Sequence, residues 1–252
     1  MHQHSAQFKP RFDYVATVYD AENSIQRDVF SWLLSYIPKR SYSSILDIGC
    51  ASGALTEKLR TTFKPTRIRG IDVSKAMIAE ARRCYPKIIF DVQSAQRLGA
   101  ADRADLVVSN ATLQWVDELN PVWRALSEFV QQGSDLVFSV FLPGTYEELA
   151  HGLRAVVCPD IQIPAERFLT EQQLREQCER YFPNMIVHTE RKQCYFASVR
   201  ELLWHIKRTG TSTSSSYVRF TREKLALLDA WFEREHGGVE VSYDVLIGAM
   251  AS

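Results

Sequence analysis

The residues best placed to do chemistry are two aspartates and the glycines between them. In Ile45-Leu46-Asp47-Ile48-Gly49-Cys50-Ala51-Ser52-Gly53 an apolar run ends in an acid and a glycine-bearing turn. A second run, Arg67-Ile68-Arg69-Gly70-Ile71-Asp72, ends in another acid. Short apolar runs of this kind predict buried strands, so both carboxylates arrive at strand ends. Gly49 is expected to take backbone angles that a side chain forbids, and Gly53 to let the following helix lie close to the sheet. A ligand can then rest against bare backbone. Asp72 follows Gly49 at close to the roughly 20-residue spacing at which an acid accepts hydrogen bonds from ribose hydroxyls. The arrangement reads as a nucleoside pocket with Asp72 as its ribose clamp. It is not the dinucleotide fingerprint GxGxxG, because Ala51 stands where that pattern needs glycine, and a pyrophosphate cradle is disfavoured. The methyl group of Ala51 is tolerated if the backbone there stays at negative φ.

Strands and helices must alternate to position this pair. In residues 24–38 the apolar Ile25, Val29, Leu33 and Ile37 recur every four positions, which predicts a helix with one buried face, stopped by Pro38. Residues 55–63 predict another helix. Ser74 caps a third, running to residue 83 with Met77, Ile78 and Ala81 inward. Further strands are expected at 87–92, 104–110 and 135–142, and Asn120-Pro121 opens a helix where the missing proline N–H costs nothing. Five strands with intervening helices imply a parallel, doubly wound α/β sheet with ligands at the strands' carboxyl ends. Past Pro143 the pattern changes. Thr145 with Glu148, and Thr170 with Gln173, have capping-box spacing and predict helices inserted over the sheet. A strand at 184–196 and helices at 199–207 and 222–234 follow, the last with Leu225, Leu228, Trp231 and Phe232 inward. Gly237-Gly238 then turns the chain into a closing strand at 239–247. The run of serine and threonine at 211–216 reads as a mobile loop, either gating a site or merely connecting. We read residues 1–252 as a single domain: 1–40 an N-terminal helix and lid, 41–142 the ligand-binding core, 143–235 a helical insertion and cover mixed with one core strand, and 236–252 the terminal strand.

Composition narrows the partners. At 252 residues and 46% hydrophobic content the chain can bury a continuous core. Thirty basic and thirty acidic residues cancel, so no global field draws it to nucleic acid or to an anionic membrane. Five scattered cysteines without CxxC spacing suit reduced thiols in a cytoplasm, with no disulfide frame and no metal site. No long apolar run spans a membrane, Met1-His2-Gln3-His4 lacks the apolar core of a signal peptide, and His2 and His4 read as a frayed terminus. A cytoplasmic monomer is the expectation.

The segment Asp47-Ile48-Gly49-Cys50-Ala51-Ser52-Gly53 resembles motif I of the class I S-adenosylmethionine-dependent methyltransferases, an acid followed by GxGxG, with Ala51 in place of the middle glycine. The resemblance implies a Rossmann-like sheet of seven strands, mostly parallel with a terminal antiparallel strand. It implies S-adenosylmethionine as cofactor, S-adenosylhomocysteine as product, and a cofactor site at Asp47, Gly49, Cys50, Ala51, Gly53, Asp72, Val73, Ser94, Ala95 and Asn110. The family commonly holds adenine with an acid after the third strand. Here Ser94 occupies that place, so either Ser94 with the Ala95 amide serves the adenine edge, or Asp91 does so in a shifted register. Gln114 and Trp115, after the fourth strand, fall where the transferred methyl would lie. Trp115 either packs beside the sulfonium by cation–π attraction, worth about 0.5–2 kcal/mol, or caps the core.

Beyond these motifs, Phe12-Asp13-Tyr14-Val15-Ala16-Thr17-Val18-Tyr19-Asp20, the stretch from Ser109 to Trp115, Leu142-Pro143-Gly144-Thr145, Arg167-Phe168-Leu169, Ile206-Lys207-Arg208-Thr209-Gly210 and the strand around Tyr243 together resemble the malonyl-[acyl-carrier protein] O-methyltransferases of biotin synthesis. Membership implies methylation of the free malonyl carboxylate on acyl carrier protein. That carboxylate is ionised near neutral pH, since unperturbed carboxyl groups titrate at about 4, so no general base is needed. A cation should hold it, with Arg167, Lys207 and Arg208 as candidates, and Tyr19 resembles the family's lid tyrosine. Two rival readings stay open: a methyltransferase for another small acid or metabolite, such as aconitate, and a non-catalytic binding protein that keeps the methyltransferase fold.

Overall fold

The computed structural model describes residues 13, 15–17, 19, 23–209 and 220–251. The expected loop at 211–216 and the terminal histidines lie outside the described residues. Seven strands form one sheet: β1 Ser44–Ile48, β2 Arg67–Asp72, β3 Ile89–Val92, β4 Leu106–Ser109, β5 Asp135–Phe141, β6 Ile186–Phe196 and β7 Val239–Met250. Their order is β3-β2-β1-β4-β5-β7-β6. The first five run parallel, and β7 inserts antiparallel between β5 and β6. Register aligns the strand ends that matter: Asp47 pairs with Gly70 and Val108, and Asp72 with Val92. The turn after β1, Asp72 and the residues after β4 therefore share the carboxyl edge.

Eight α-helices are found among the described residues: α1 Ser24–Leu34, α2 Ala54–Phe63, α3 Lys75–Cys84, α4 Asn120–Gln131, α5 Glu147–Val156, α6 Glu171–Tyr181, α7 Val199–Arg208 and α8 Arg222–His236. Period-two alternation along the strands divides the core between the two faces. Leu136 and Phe138 pack on the face where α4 and α6 bring Trp123, Leu126, Phe129 and Leu174. Val137 faces α1, α2 and α3 through Phe30, Leu33, Leu59 and Ile78. A third cluster, joining α5, α7, α8 and β7 through Leu149, Leu202, Phe232 and Val241, covers the far end of the sheet.

The expected cap at Ser74 forms, its hydroxyl accepting from the Met77 N–H at 3.1 Å. Thr170 and Gln173 form a reciprocal capping box. The same spacing at Thr145 and Glu148 does not. The residue before α5 is Tyr146 at φ 62°, Thr145 donates to the Asp244 carbonyl, and Glu148 accepts from the Ser242 N–H at 2.9 Å. A contact to β7 displaces the local cap. The helix expected at 24–38 ends at Leu34 and turns before Pro38, with Ile37 still buried. β7 runs three residues past the expected 247, because its continuation to Met250 pairs with Leu136.

Candidate active site

The turn after β1 is lashed to the end of β2. Gly49 and Cys50 both donate their N–H groups to the Ile71 carbonyl, at 2.7 and 3.0 Å, and the Ala51 N–H donates to Asp72 Oδ2 at 3.1 Å. Left-handed angles alternate through it: φ is 77° at Gly49, 47° at Ala51 and 89° at Gly53. The negative φ at which alanine is readily tolerated is therefore not kept at Ala51. The amide must turn toward Asp72, and the left-handed conformation that achieves this costs a non-glycine residue about 1–2 kcal/mol. A Cβ on Gly49 would fall 2.1 Å from Thr112 Oγ1, and one on Gly53 would fall 2.7 Å from the Phe90 ring. Gly49 is thus confined by the segment after β4, and Gly53 by β3, Tyr85 and Ala81 beneath α2.

A cavity opens above this turn. Asp47, Gly49, Cys50, Ala51, Asp72, Val73, Ser94, Ala95 and Asn110 all line it, whereas Gly53 lies just below. Asp72 takes amide hydrogens from Ala51 on one oxygen and from Ser74 on the other, at 2.8 Å. A carboxylate oxygen accepts more than one hydrogen bond, so both keep capacity for a diol. Burial raises the Asp72 pKa, while those amides pull against the rise. Asp47 is more deeply enclosed. Burial pushes its carboxyl up to about 7, against the pull of a 2.6 Å hydrogen bond from Thr56 Oγ1 and with a smaller push from Asp72. Burial also holds the Cys50 thiol well above its usual range, so it is no nucleophile at neutral pH.

At one end of the cavity stand Val73, Met77, Gln93, Ser94, Ala95 and Gln96. The Ser94 hydroxyl caps the short 3-10 turn Ala95–Arg97 by accepting from the Gln96 N–H. Asp91, the other candidate there, is engaged by Arg69 at 2.6 Å and Arg82 at 3.6 Å and does not line the cavity. At the other end lie Asn110, Ala111, Thr112, Trp115, Val116 and Asp117. Asn110 holds elements together: its Nδ2 donates to the Gln26 carbonyl at 3.0 Å, and its Oδ1 accepts from Ser139 at 2.8 Å. The Trp115 indole faces the cavity and meets the Phe168 ring edge-on, at 4.8 Å and 87°. Gln114 stands outside the lining and donates to the Ala111 carbonyl at 2.8 Å.

Tyr19, Asn23 and Gln26 line the cavity from the N-terminal segment, with Phe141 and Thr209 facing them from β5 and the end of α7. Tyr19 also packs on the small cluster of Val15, Ala16 and Met77. None of Arg167, Lys207 and Arg208 lines the cavity. Arg167 is exposed and donates to Gln162, and the two cations of α7 lie over the Trp204 ring at 5.5 and 5.7 Å. Their chain neighbours do reach the site, since Phe168 touches Trp115 and Thr209 lines the cavity. Sequence reading passed over Gln26, Thr112, Gln93 and Phe141. Gln26 left a signal, a polar residue on the same stripe as Val29, Phe30 and Leu33, whereas nothing local marks Thr112 as the neighbour of Gly49.

Comparison with known proteins places the chain by sequence and by fold. A methyltransferase-domain family profile matches residues 45–133. Malonyl-[acyl-carrier protein] O-methyltransferase from Bacillus anthracis is 33% identical over 246 residues, covering 91% of this chain and 90% of its own. The enzyme of that name from Priestia megaterium is 28% identical, covering 95% and 94%. Among solved structures, the YcgJ protein from Bacillus subtilis superposes with a TM-score of 0.60 at 11% identity, covering 90% of this chain and 99% of its own. N-methyltransferase NodS from Bradyrhizobium japonicum, solved with S-adenosylhomocysteine, has a TM-score of 0.54 at 16% identity, covering 98% of each. These two share the fold. No helix among the described residues is long and apolar enough to cross a membrane.

Proposed function

Because this chain belongs to the malonyl-[acyl-carrier protein] O-methyltransferases, we propose that it transfers the methyl group of S-adenosylmethionine to the free carboxylate of a malonyl group borne on acyl carrier protein. The observation that carries this is 33% identity across nine-tenths of both chains, aligned with a cavity built from the acid-ended strands β1 and β2. The residues present fit the cofactor: Asp72 presents two oxygens with spare acceptor capacity, and an apolar wall of Val73, Met77 and Ala95 stands beyond it for the base. When bound, the cofactor supplies a methyl group already activated as a sulfonium.

The protein must then orient and desolvate an anion. A malonyl carboxylate, titrating in water at about 4, is ionised at neutral pH, so it is a nucleophile without a general base and the chain's own residues need move no proton. Asp47, Asp72 and Asp117 surround the cavity, and no described cation lines it. The malonyl charge therefore calls for a rim cation. Arg167, Lys207 and Arg208 are the candidates for that group in this reading, their chain neighbours Phe168 and Thr209 reaching the site, while Tyr19 closes over the reactants. Trp115 and Phe141 line the cavity wall beyond the ends of β4 and β5.

Methyl transfer to malonyl-carrier protein and to malonyl-CoA, with S-adenosylhomocysteine binding measured by calorimetry, tests the proposal. We expect micromolar affinity, at least tenfold weaker binding in Asp72→Ala, and transfer to the carrier-bound malonyl group. One of Arg167→Met, Lys207→Met and Arg208→Met should lower kcat/KM about a hundredfold, or roughly 2.7 kcal/mol, with cofactor affinity retained. Binding without transfer to either malonyl thioester would point to another acid, and no binding at millimolar ligand to a scaffold.

A further inference from the structure

Gln26 lies on the buried face of α1, 7% exposed, and lines the cavity. Its backbone is fully committed to the scaffold: the Gln26 carbonyl accepts from Asn110 Nδ2 at 3.0 Å, and Asn110 in turn is held by Ser139 of β5. Its side-chain oxygen is not. Among the described residues the Gln26 Oε1 atom is buried and has no hydrogen-bond partner. A buried acceptor left in this state is destabilising, and it is relieved only by a group that donates.

Which donor fits is decided by chemistry and place. The acyl end of the proposed acceptor offers none, since an ionised carboxylate and a thioester carbonyl only accept. Asp72 across the cavity is likewise an acceptor, already taking amide hydrogens from Ala51 and Ser74. Gln26 is fixed to the end of β4, two strands from the Asp72 end of β2 in the order β2-β1-β4, a separation of about 10 Å at roughly 4.8 Å per strand. A nucleoside held at Asp72 with its base toward Val73 and Ala95 would direct its 5′ substituent toward β4, the opposite side of β2 from β3. In S-adenosylmethionine that substituent ends in an α-ammonium, a cation with three N–H donors.

We propose that the Gln26 carboxamide oxygen is the acceptor for the α-ammonium of the cofactor's amino-acid end. This rests on the methyltransferase reading and deepens it. The nucleoside is recognised from β2 and β3, and the amino acid from α1, a helix that Asn110 clamps to the sheet. Because a charged donor meets a buried neutral acceptor, the contact discriminates between ligands that share the nucleoside and differ only in the amino group.

Calorimetry with three ligands tests this: S-adenosylhomocysteine, its deaminated analogue, and 5′-methylthioadenosine, which keeps the nucleoside and thioether and lacks the amino acid. Wild-type protein should bind the deaminated analogue at least tenfold more weakly than S-adenosylhomocysteine. In Gln26→Met that difference should shrink severalfold, with S-adenosylhomocysteine affinity falling at least tenfold and 5′-methylthioadenosine affinity staying within twofold. The ligand-free melting temperature of Gln26→Met should hold or rise, because an unsatisfied acceptor has been removed; a merely structural role would lower it together with binding of all three ligands. Equal wild-type affinity for S-adenosylhomocysteine and its deaminated analogue overturns the assignment without any variant. Equal loss of S-adenosylhomocysteine and 5′-methylthioadenosine in Gln26→Met also overturns it. Wild-type protein that takes up none of the three overturns the cofactor reading itself.

Discussion

Asp47 carries its charge at a cost that pH controls. Its carboxyl is buried, receives the Thr56 hydroxyl, and is pushed up to about 7, whereas in the unfolded chain it titrates near 3.8. A raised folded pKa means that the native state binds the extra proton. The contribution is complete below pH 3.8 and is lost as pH rises through about 7. At 1.36 kcal/mol per unit the loss is on the order of 4 kcal/mol. Urea unfolding of the ligand-free protein should therefore show Asp47→Asn gaining stability on wild type between pH 5 and 8; parallel pH profiles would dismiss the idea. Gly49→Val makes a separate test, since its side chain must displace Thr112, and we expect a folded protein by circular dichroism with cofactor binding abolished. Normal binding would show that the turn tolerates the clash. Asp47, Gly49 and Asp72 were legible because strand ends and glycine spacing are local properties of the chain. The angle at Ala51 was not, because it is set by the Asp72 carboxylate, and Thr112 was hidden because its contact with Gly49 spans two strands.

The elements show the same division between local and distant causes. Thr170 and Gln173 satisfy one another and form their box, while Thr145 and Glu148 share that spacing and lose it to Asp244 and Ser242 of β7. Spacing decides only when no stronger partner comes from elsewhere. At the opposite edge of the sheet, the start of β5 depends on such a distant partner: buried Asp135 accepts from Tyr42 at 2.7 Å and from Arg40 at 2.6 Å, pinning the segment before β1. Burial and Asp135 together raise the Tyr42 pKa. Arg40 is 43% exposed and counts for little, and the Tyr42 hydroxyl can turn to the Pro38 carbonyl. Asp135→Ala should thus cost about 2 kcal/mol in chemical denaturation. A loss below about 0.5 kcal/mol would show that the segment is held by packing alone.

At the scale of the molecule, the α/β class and the five parallel strands followed from alternating helical and strand patterns, and the antiparallel final strand from the resemblance. The insertion of β7 between β5 and β6 carries no local signature, since adjacency in a sheet is a property of pairing and not of order along the chain. β7 is buried along nearly its whole length, whereas β6 exposes Ile186 and Tyr195 at 63% and 72%. Native-state hydrogen exchange should find the β5 and β7 amides opening together at the global unfolding free energy, and the outer amides of β6 opening sooner. Uniform protection across β6 would count against that hierarchy.

The position of β7 also fixes a schedule for making the protein. β5 is buried throughout, yet the strand that covers its outer edge begins only at Val239, about a hundred residues further along, so at roughly 5–20 residues per second a nascent chain leaves that edge uncovered for on the order of 5–20 s. β6 emerges earlier and cannot close the gap, because its own place in the sheet is defined by β7. Throughout that interval Leu136 to Phe141 offers an unpaired apolar strand edge, so slower passage from residue 141 to residue 239 lengthens the time in which a neighbouring chain can pair with it.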